Sequence, residues 1–259
     1  MAVSIDELLD DVTAETAVVD RMLDPLSPRE WELATPAAGW AIRDQVGHLA
    51  YFDETVALAV TDEAAFRTCA AEAMARGTDF ANEIAKDYRT MPAGELLTWF
   101  RKARAAMLST FHAADPARKV PWYGPSMSLA SSITARLMET WAHGQDIADA
   151  LGVTRAPTVR LRHIAHLGVR TLPFSFTVRG LPVPDRPVRV ELTAPDGDTW
   201  TWGSGADSVT GDALDFCLVV TQRRNVADTG LRVAGPVATE WMAVAQAFAG
   251  PPGPGRPVT

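Results

Sequence analysis

Leu129-Ala130-Ser131-Ser132-Ile133-Thr134-Ala135-Arg136-Leu137-Met138-Glu139-Thr140-Trp141-Ala142-His143-Gly144-Gln145-Asp146-Ile147-Ala148-Asp149-Ala150-Leu151-Gly152 is the stretch that decides the architecture of this chain. Leu129, Ile133, Leu137, Trp141, Ile147 and Leu151 recur at helical spacing, which predicts a helix over 127 to 151. Gly152 stands where a left-handed residue ends a helix. Everything upstream of it reads as further helices, and the signals downstream change.

Upstream, Ser4 and Glu7 have capping-box spacing, and Leu8, Val12, Val19 and Leu23 follow at helical turns that end near Asp24-Pro25. A second pattern runs from Ile42 through Val46, Leu49, Val56 and Val60, entered through Thr35-Pro36-Ala37-Ala38-Gly39-Trp40. An Ala-rich stretch from Asp62 to Asp87 predicts a third helix. Pro92 opens a fourth, with Leu96, Leu97, Phe100, Met107, Leu108 and Phe111 as its apolar stripe. Long helices with short connections predict a bundle.

Downstream, Thr158 to about Thr171 predicts a connector helix, and a Pro-rich stretch spans Pro173 to Pro187. Pro187 to Thr193 alternates apolar and polar residues, Ala194-Pro195-Asp196-Gly197-Asp198 is a turn, and Thr199 to Gly203 returns as a second strand. Thr210 is expected to cap a helix from Gly211 to about Arg223. Leu231-Arg232-Val233 predicts a short strand, and Gly235-Pro236 opens a last helix carrying Val237, Trp241, Val244 and Phe248. The expected fold is α+β. A helical bundle occupies 1–152, a connector helix and Pro-rich linker 153–186, and a small α/β domain 187–250. A disordered tail, PPGPGRPVT, occupies 251–259.

Composition supports a globular chain. Of 259 residues 47% are hydrophobic and 22% charged, enough to bury a core. The 24 Lys and Arg against 32 Asp and Glu leave −8, which divides unevenly: 13 basic against 23 acidic side chains before residue 151 (−10), 11 against 9 after it (+2). No clustered basic stripe is present, so a nucleic-acid partner is not expected. No apolar run reaches the roughly 20 residues of a membrane helix, and acids fill the N-terminus MAVSIDELLDD where a signal peptide carries basic residues. A cytoplasmic protein without membrane attachment, a monomer or homodimer, is the expectation. Cys69 and Cys217 are far apart, read as structural, and offer no cysteine metal site.

The chemistry-bearing residues begin with Glu139 and His143. At i and i+4 they project from one helix face, so a carboxylate and an imidazole can reach one metal ion. A solvated polar face has the same pattern. A third ligand must come from another helix, and His48, among Val46, Leu49 and Phe52, is placed for it; a satisfied core histidine has that setting too. Asp44 and Asp146 are candidate acceptors for an imidazole N–H, with a plain surface role open for Asp44. His163 and His166 either face a cleft or lie on a solvated face, His112 reads as surface, and Trp122 and Tyr123 either line a pocket mouth or plug the bundle end.

The run from Thr35 through Trp40 to His48-Leu49, together with Glu139-Thr140-Trp141-Ala142-His143-Gly144-Gln145-Asp146, resembles the paired signature of the mycothiol-dependent maleylpyruvate isomerase and DinB-like metal-binding superfamily. Arg224-Asn225-Val226-Ala227-Asp228-Thr229-Gly230-Leu231 with Gly235-Pro236-Val237-Ala238-Thr239-Glu240-Trp241 is similar to the second, sterol-carrier-like domain of its actinobacterial members. The resemblance implies a DinB-like up-down bundle whose His48, Glu139 and His143 hold a divalent metal, usually zinc; the donor types also suit iron or nickel. It implies a low-molecular-weight thiol such as mycothiol as cosubstrate, and a small electrophilic substrate for isomerisation or S-transfer. It also implies an arginine from the second domain for a substrate carboxylate, here Arg224 ahead of Arg223. The alternatives are a non-catalytic metal-containing binding protein, or a thiol-independent metal hydrolase with Asp146 or Glu54 as base.

Overall fold

The computed structural model describes residues 3–253 and 255–258. Met1, Ala2, Pro254 and Thr259 lie outside it, and with them the ends of the acidic N-terminus and of the expected tail. The chain divides into two units, Met1–Thr154 and Arg155–Thr259.

The first unit is helical. Helix α1 (Ile5–Leu23) opens on the capping box: Glu7 N–H donates to Ser4 Oγ (3.2 Å) and Ser4 N–H to Glu7 Oε2 (2.8 Å). Helix α2 (Ile42–Thr61) starts where the Asp44 carboxylate accepts the Ala41 N–H (2.8 Å). The Ala-rich stretch forms two helices, α3 (Glu63–Met74) and α4 (Phe80–Asp87). Gly77 interrupts it at φ 116°, a conformation that side chains other than glycine's disfavour. Helix α5 (Ala93–Ala113) follows Pro92, and α6 (Leu129–Leu151) is closed by Gly152 at φ 66°. The start expected at 127 is moved two residues on, because Met127–Ser128 (β2) pairs antiparallel with Lys119–Val120 (β1).

Helices α1, α2, α5 and α6 close a bundle in which α1 and α2 each pack on both α5 and α6. One apolar cluster joins Leu8, Val12, Val56, Phe66, Met107, Phe111, Ile133 and Leu137; a second joins Val19, Leu23, Trp31, Ile42, Val46, Leu49, Leu96, Phe100 and Ile147. Burying these side chains contributes roughly 1.5–3 kcal/mol each. A polar network also crosses the bundle. Asp53 on α2 is fully buried; its carboxylate accepts from Arg104 Nε of α5 (2.6 Å) and from Arg136 Nε of α6 (3.0 Å). Arg104 reaches on to Thr16 Oγ1 of α1, and Arg136 Nη2 donates to the Leu49 carbonyl (3.3 Å). Buried charge is stable only when paired and hydrogen-bonded, so this network ties all four helices into one register.

The second unit holds a four-stranded sheet in the order β4-β3-β5-β6, of strands Val188–Thr193 (β3), Thr199–Trp202 (β4), Asp207–Asp212 (β5) and Arg232–Ala234 (β6). The β3–β4 hairpin is antiparallel, β3–β5 parallel and β5–β6 antiparallel. Val188, Val190 and Leu192 alternate inward on β3. Helices α7 (Leu161–Arg170), α8 (Leu172–Thr177), α9 (Ala213–Val220) and α10 (Pro236–Val244) complete the unit, with α9 on β3, β5 and α7 and α10 on β5, β6 and α8.

Three expectations are corrected here. Thr210 and Gly211 belong to β5, between two partner strands, and the helix begins only after Asp212. At Gly211 (φ 145°) a Cβ would lie 3.0 Å from the Leu231 side chain, so a larger residue would crowd it. The Pro-rich linker contains α8, with Pro173 in its first turn where a missing N–H costs nothing. In the C-terminal stretch, expected as a disordered tail, the described residues have two anchors: Arg179 Nη2 donates to the Gly253 carbonyl (3.3 Å) and Asn225 Nδ2 to the Arg256 carbonyl (2.9 Å). Among the described residues no helix is long and apolar enough to cross a membrane.

Candidate metal centre

Helix α2 presents His48 to the face of α6 that carries Glu139 and His143. His48 Nε2 lies 3.3 Å and His143 Nε2 3.0 Å from the same Glu139 oxygen, Oε2. The imidazole centroids are 4.3 Å apart, and one ligand atom from each of the three residues lies within 4.8 Å of the others. The side chains are 12%, 19% and 10% exposed for His48, Glu139 and His143, so the cluster is buried yet not sealed.

The protonation states suit a cation. Burial, then the neighbouring His143, push the His48 imidazole down to about 4, so it is neutral at physiological pH. Burial works against ionisation of Glu139, but the hydrogen bonds of His143 and His48 outweigh it and hold the carboxyl well below its usual range. One carboxylate and at least one neutral imidazole therefore converge on a single point, a donor set that fits a divalent ion without further deprotonation of Glu139. His48 Nδ1 is buried without a hydrogen-bond partner, which leaves Nε2 as the nitrogen with polar company.

Aromatic rings frame the cluster. Trp40 stacks on His143 (centroids 5.8 Å, 16° between planes) and tilts against His48 at 5.3 Å; Phe52 packs on His48 at 4.5 Å. Trp122 and Tyr123 sit behind Phe52 and Phe66 as part of the packed wall. Trp40 is held in turn by its indole N–H, which donates to Asn82 Oδ1 of α4.

The remaining candidates divide. Asp44 is buried, but its partners are the Ala41 N–H and Arg89 (2.8 Å), so it caps α2 and does not orient an imidazole. The acceptor facing His143 Nδ1 is Gln45 Oε1, a residue that no sequence signal singled out because a lone Gln in an apolar helix face has no distinguishing spacing. Asp146 is fully buried, and Glu54 is exposed. Cys217 is buried, which pushes its thiol up, and Cys69 is half-buried beside the Tyr51 hydroxyl (3.7 Å). In the second unit Arg223 and Arg224 lie in the turn after α9, both backbone N–H groups on the Leu218 carbonyl; Arg223 Nη1 reaches the Thr221 carbonyl and Arg224 Nη1 the Arg223 carbonyl. Trp202 Nε1 donates to His166 Nδ1 (3.2 Å), and His112 is exposed beside Asp6 (3.6 Å).

Against known proteins, the family model described as the mycothiol maleylpyruvate isomerase N-terminal domain matches residues 12–148, a span that contains all three candidate ligands. The chain belongs to this family. Two relatives from Mycobacterium tuberculosis, strains CDC 1551 / Oshkosh and ATCC 25618 / H37Rv, are each 47% identical over 248 residues, covering 95% of this chain and 96% of the relative; both are described as uncharacterized proteins. Crystal structures of the mycothiol-dependent maleylpyruvate isomerase and of a histidine-to-alanine mutant of it match with a TM-score of 0.62 at 15% identity, over 90% of this chain and 93% of theirs. At that identity the likeness shows the fold alone.

Proposed function

We propose that this family member is a divalent-metal-dependent enzyme that activates a low-molecular-weight thiol, of the mycothiol type, for isomerisation or S-transfer on a small electrophile. The observation that carries the proposal is the convergence of His48 Nε2 and His143 Nε2 on one Glu139 oxygen. Three such donors leave coordination positions open, the arrangement of catalytic sites, and zinc is the first choice of ion. A divalent ion there supplies a thiolate at neutral pH by lowering the pKa of a coordinated thiol.

The chain's own residues do the rest. Glu139 stays ionised and His48 neutral, so both present lone pairs. Trp40 and Phe52 cover the imidazole faces and limit water at the ligands. Arg224, with Arg223 as the second choice, is assigned to a substrate carboxylate, which a guanidinium binds through two parallel hydrogen bonds. The family membership and the fold of the solved isomerase support this reading.

Calorimetric titration of mycothiol into zinc-loaded protein is the test. Heat that vanishes in His48→Ala is the expected result; absence of thiol binding at millimolar concentration in the wild type would overturn thiol activation.

A further inference from the structure

A directed run of hydrogen bonds leads from the loop Thr35 to Trp40 to His143. The Trp40 carbonyl accepts both the Thr35 N–H (2.8 Å) and the Thr35 hydroxyl (2.9 Å). That carbonyl is fixed by its own turn: Trp40 N–H donates to the Ala37 carbonyl (3.0 Å), Gly39 sits at φ 78°, and Ile42 N–H closes onto the Leu33 carbonyl (3.0 Å). A hydroxyl has one proton. With that proton on Trp40, Thr35 Oγ1 faces Gln45 as an acceptor, and Gln45 Nε2 donates to it (2.9 Å). The other end of the amide, Oε1, then faces His143 Nδ1 and can only accept.

We infer that Gln45, oriented by Thr35 and the Trp40 carbonyl, is the positioning residue that keeps a proton on His143 Nδ1 and so turns Nε2 toward Glu139, 3.0 Å away. Thr35, Gln45 and His143 are all buried, so none of these groups can exchange its partner for bulk water. Inverting the run would strip the Thr35 hydroxyl from the Trp40 carbonyl and make Nδ1 the acceptor of a Gln45 N–H, leaving the proton of a neutral ring on Nε2. A cation could then bind only after every bond in the run had reversed. The same loop holds the ring by its face, since the Trp40 indole stacks on His143. The consequence for affinity rests on the metal reading above, but the Nδ1 proton does not.

Two measurements test it on the full-length protein. The first is long-range 1H–15N NMR of the metal-free protein. It is expected to show a protonated His143 Nδ1 in the wild type and a bare or partly protonated Nδ1 in Thr35→Val. The second is zinc affinity by chelator competition, with circular dichroism as the check on folding. Loss of an outer partner of a ligating histidine costs ~10–100-fold, so Thr35→Val and Gln45→Ala are expected to weaken zinc by that factor, while Gln45→Glu, which still accepts from Nδ1–H, stays within about threefold. If Gln45→Ala fails to fold, Thr35→Val carries the test. A wild-type Nδ1 that carries no proton would overturn the inference, as would zinc affinities within about twofold of wild type in the variants that fold. Wild-type protein that takes up no zinc would instead overturn the metal reading, and the NMR result alone would then decide for or against the relay.

Discussion

Replacing Asp53 by Ala removes the carboxylate that both Arg104 and Arg136 contact, in a place where all three side chains are at most 3% exposed. Two guanidinium groups would stay behind, desolvated, with Arg104 already pushed below its ordinary pKa, chiefly by burial. Breaking a buried ion pair from one side costs about 3–5 kcal/mol, because the stranded charge keeps its desolvation penalty and loses its partner. At about 2–4 °C per kcal/mol for a chain of 150–250 residues, the melting temperature is expected to fall on the order of 10 °C. Urea unfolding followed by circular dichroism at 222 nm measures the loss as a lower midpoint at an unchanged slope, which reports stability and not compactness. The matched control is Asp53→Leu with Arg104→Met and Arg136→Met. Removing all the charge at once is expected to recover most of the loss, since a well-packed apolar replacement of a buried ionic group is often neutral. The reasoning is refuted if Asp53→Ala costs less than about 1 kcal/mol, or if the triple variant is as unstable as the single one.

Stability of the metal-free protein is expected to depend on pH through His48. Its folded-state pKa, about 4, lies below the ordinary 6.5, so the stabilisation is complete above 6.5 and is lost as pH falls toward 4. Thermal melts across that window should show the decline, and a flat profile would count against the burial of a neutral imidazole. Glu139→Gln keeps the shape of the site but removes its anion, and is expected to abolish stoichiometric zinc in metal analysis of the purified protein while leaving the far-ultraviolet spectrum unchanged. Arg224→Ala should raise KM for a carboxylate-bearing substrate by ~10–100-fold, the effect of losing hydrogen bonds to a charged group. Arg224→Lys should recover only part of it, and an equal effect of Arg223→Ala alone would move the role to that residue.

The bundle was legible because its signals are local. A capping box at Ser4 and Glu7, a helix-length apolar stripe from Leu129 to Leu151 and a glycine at 152 each act within a few residues, and the helices begin and end at or within two residues of them. The Ala-rich helix failed as a single element because the stretch lacks an apolar stripe, and Gly77 breaks it. Thr210 failed for a different reason: Ser208-Val209-Thr210 has partners on both sides, and sheet hydrogen bonds from β3 and β6 override the capping tendency of a lone threonine.

At the candidate centre the division is the same. Residue type and i/i+4 spacing alone put Glu139 and His143 on one face, since helix geometry dictates it. That His48 meets them, across 91 residues of chain, follows from the packing of α2 on α6. The buried carboxylate that helps hold those helices in register, Asp53, and the amide that faces His143 from 98 residues away, Gln45, carry no local signature at all. Short-range chemistry is written in neighbouring residues. Which nitrogen faces the open site, which carboxylate is ionised and which polar group goes inside depend on dielectric and partners that exist only once the helices have packed.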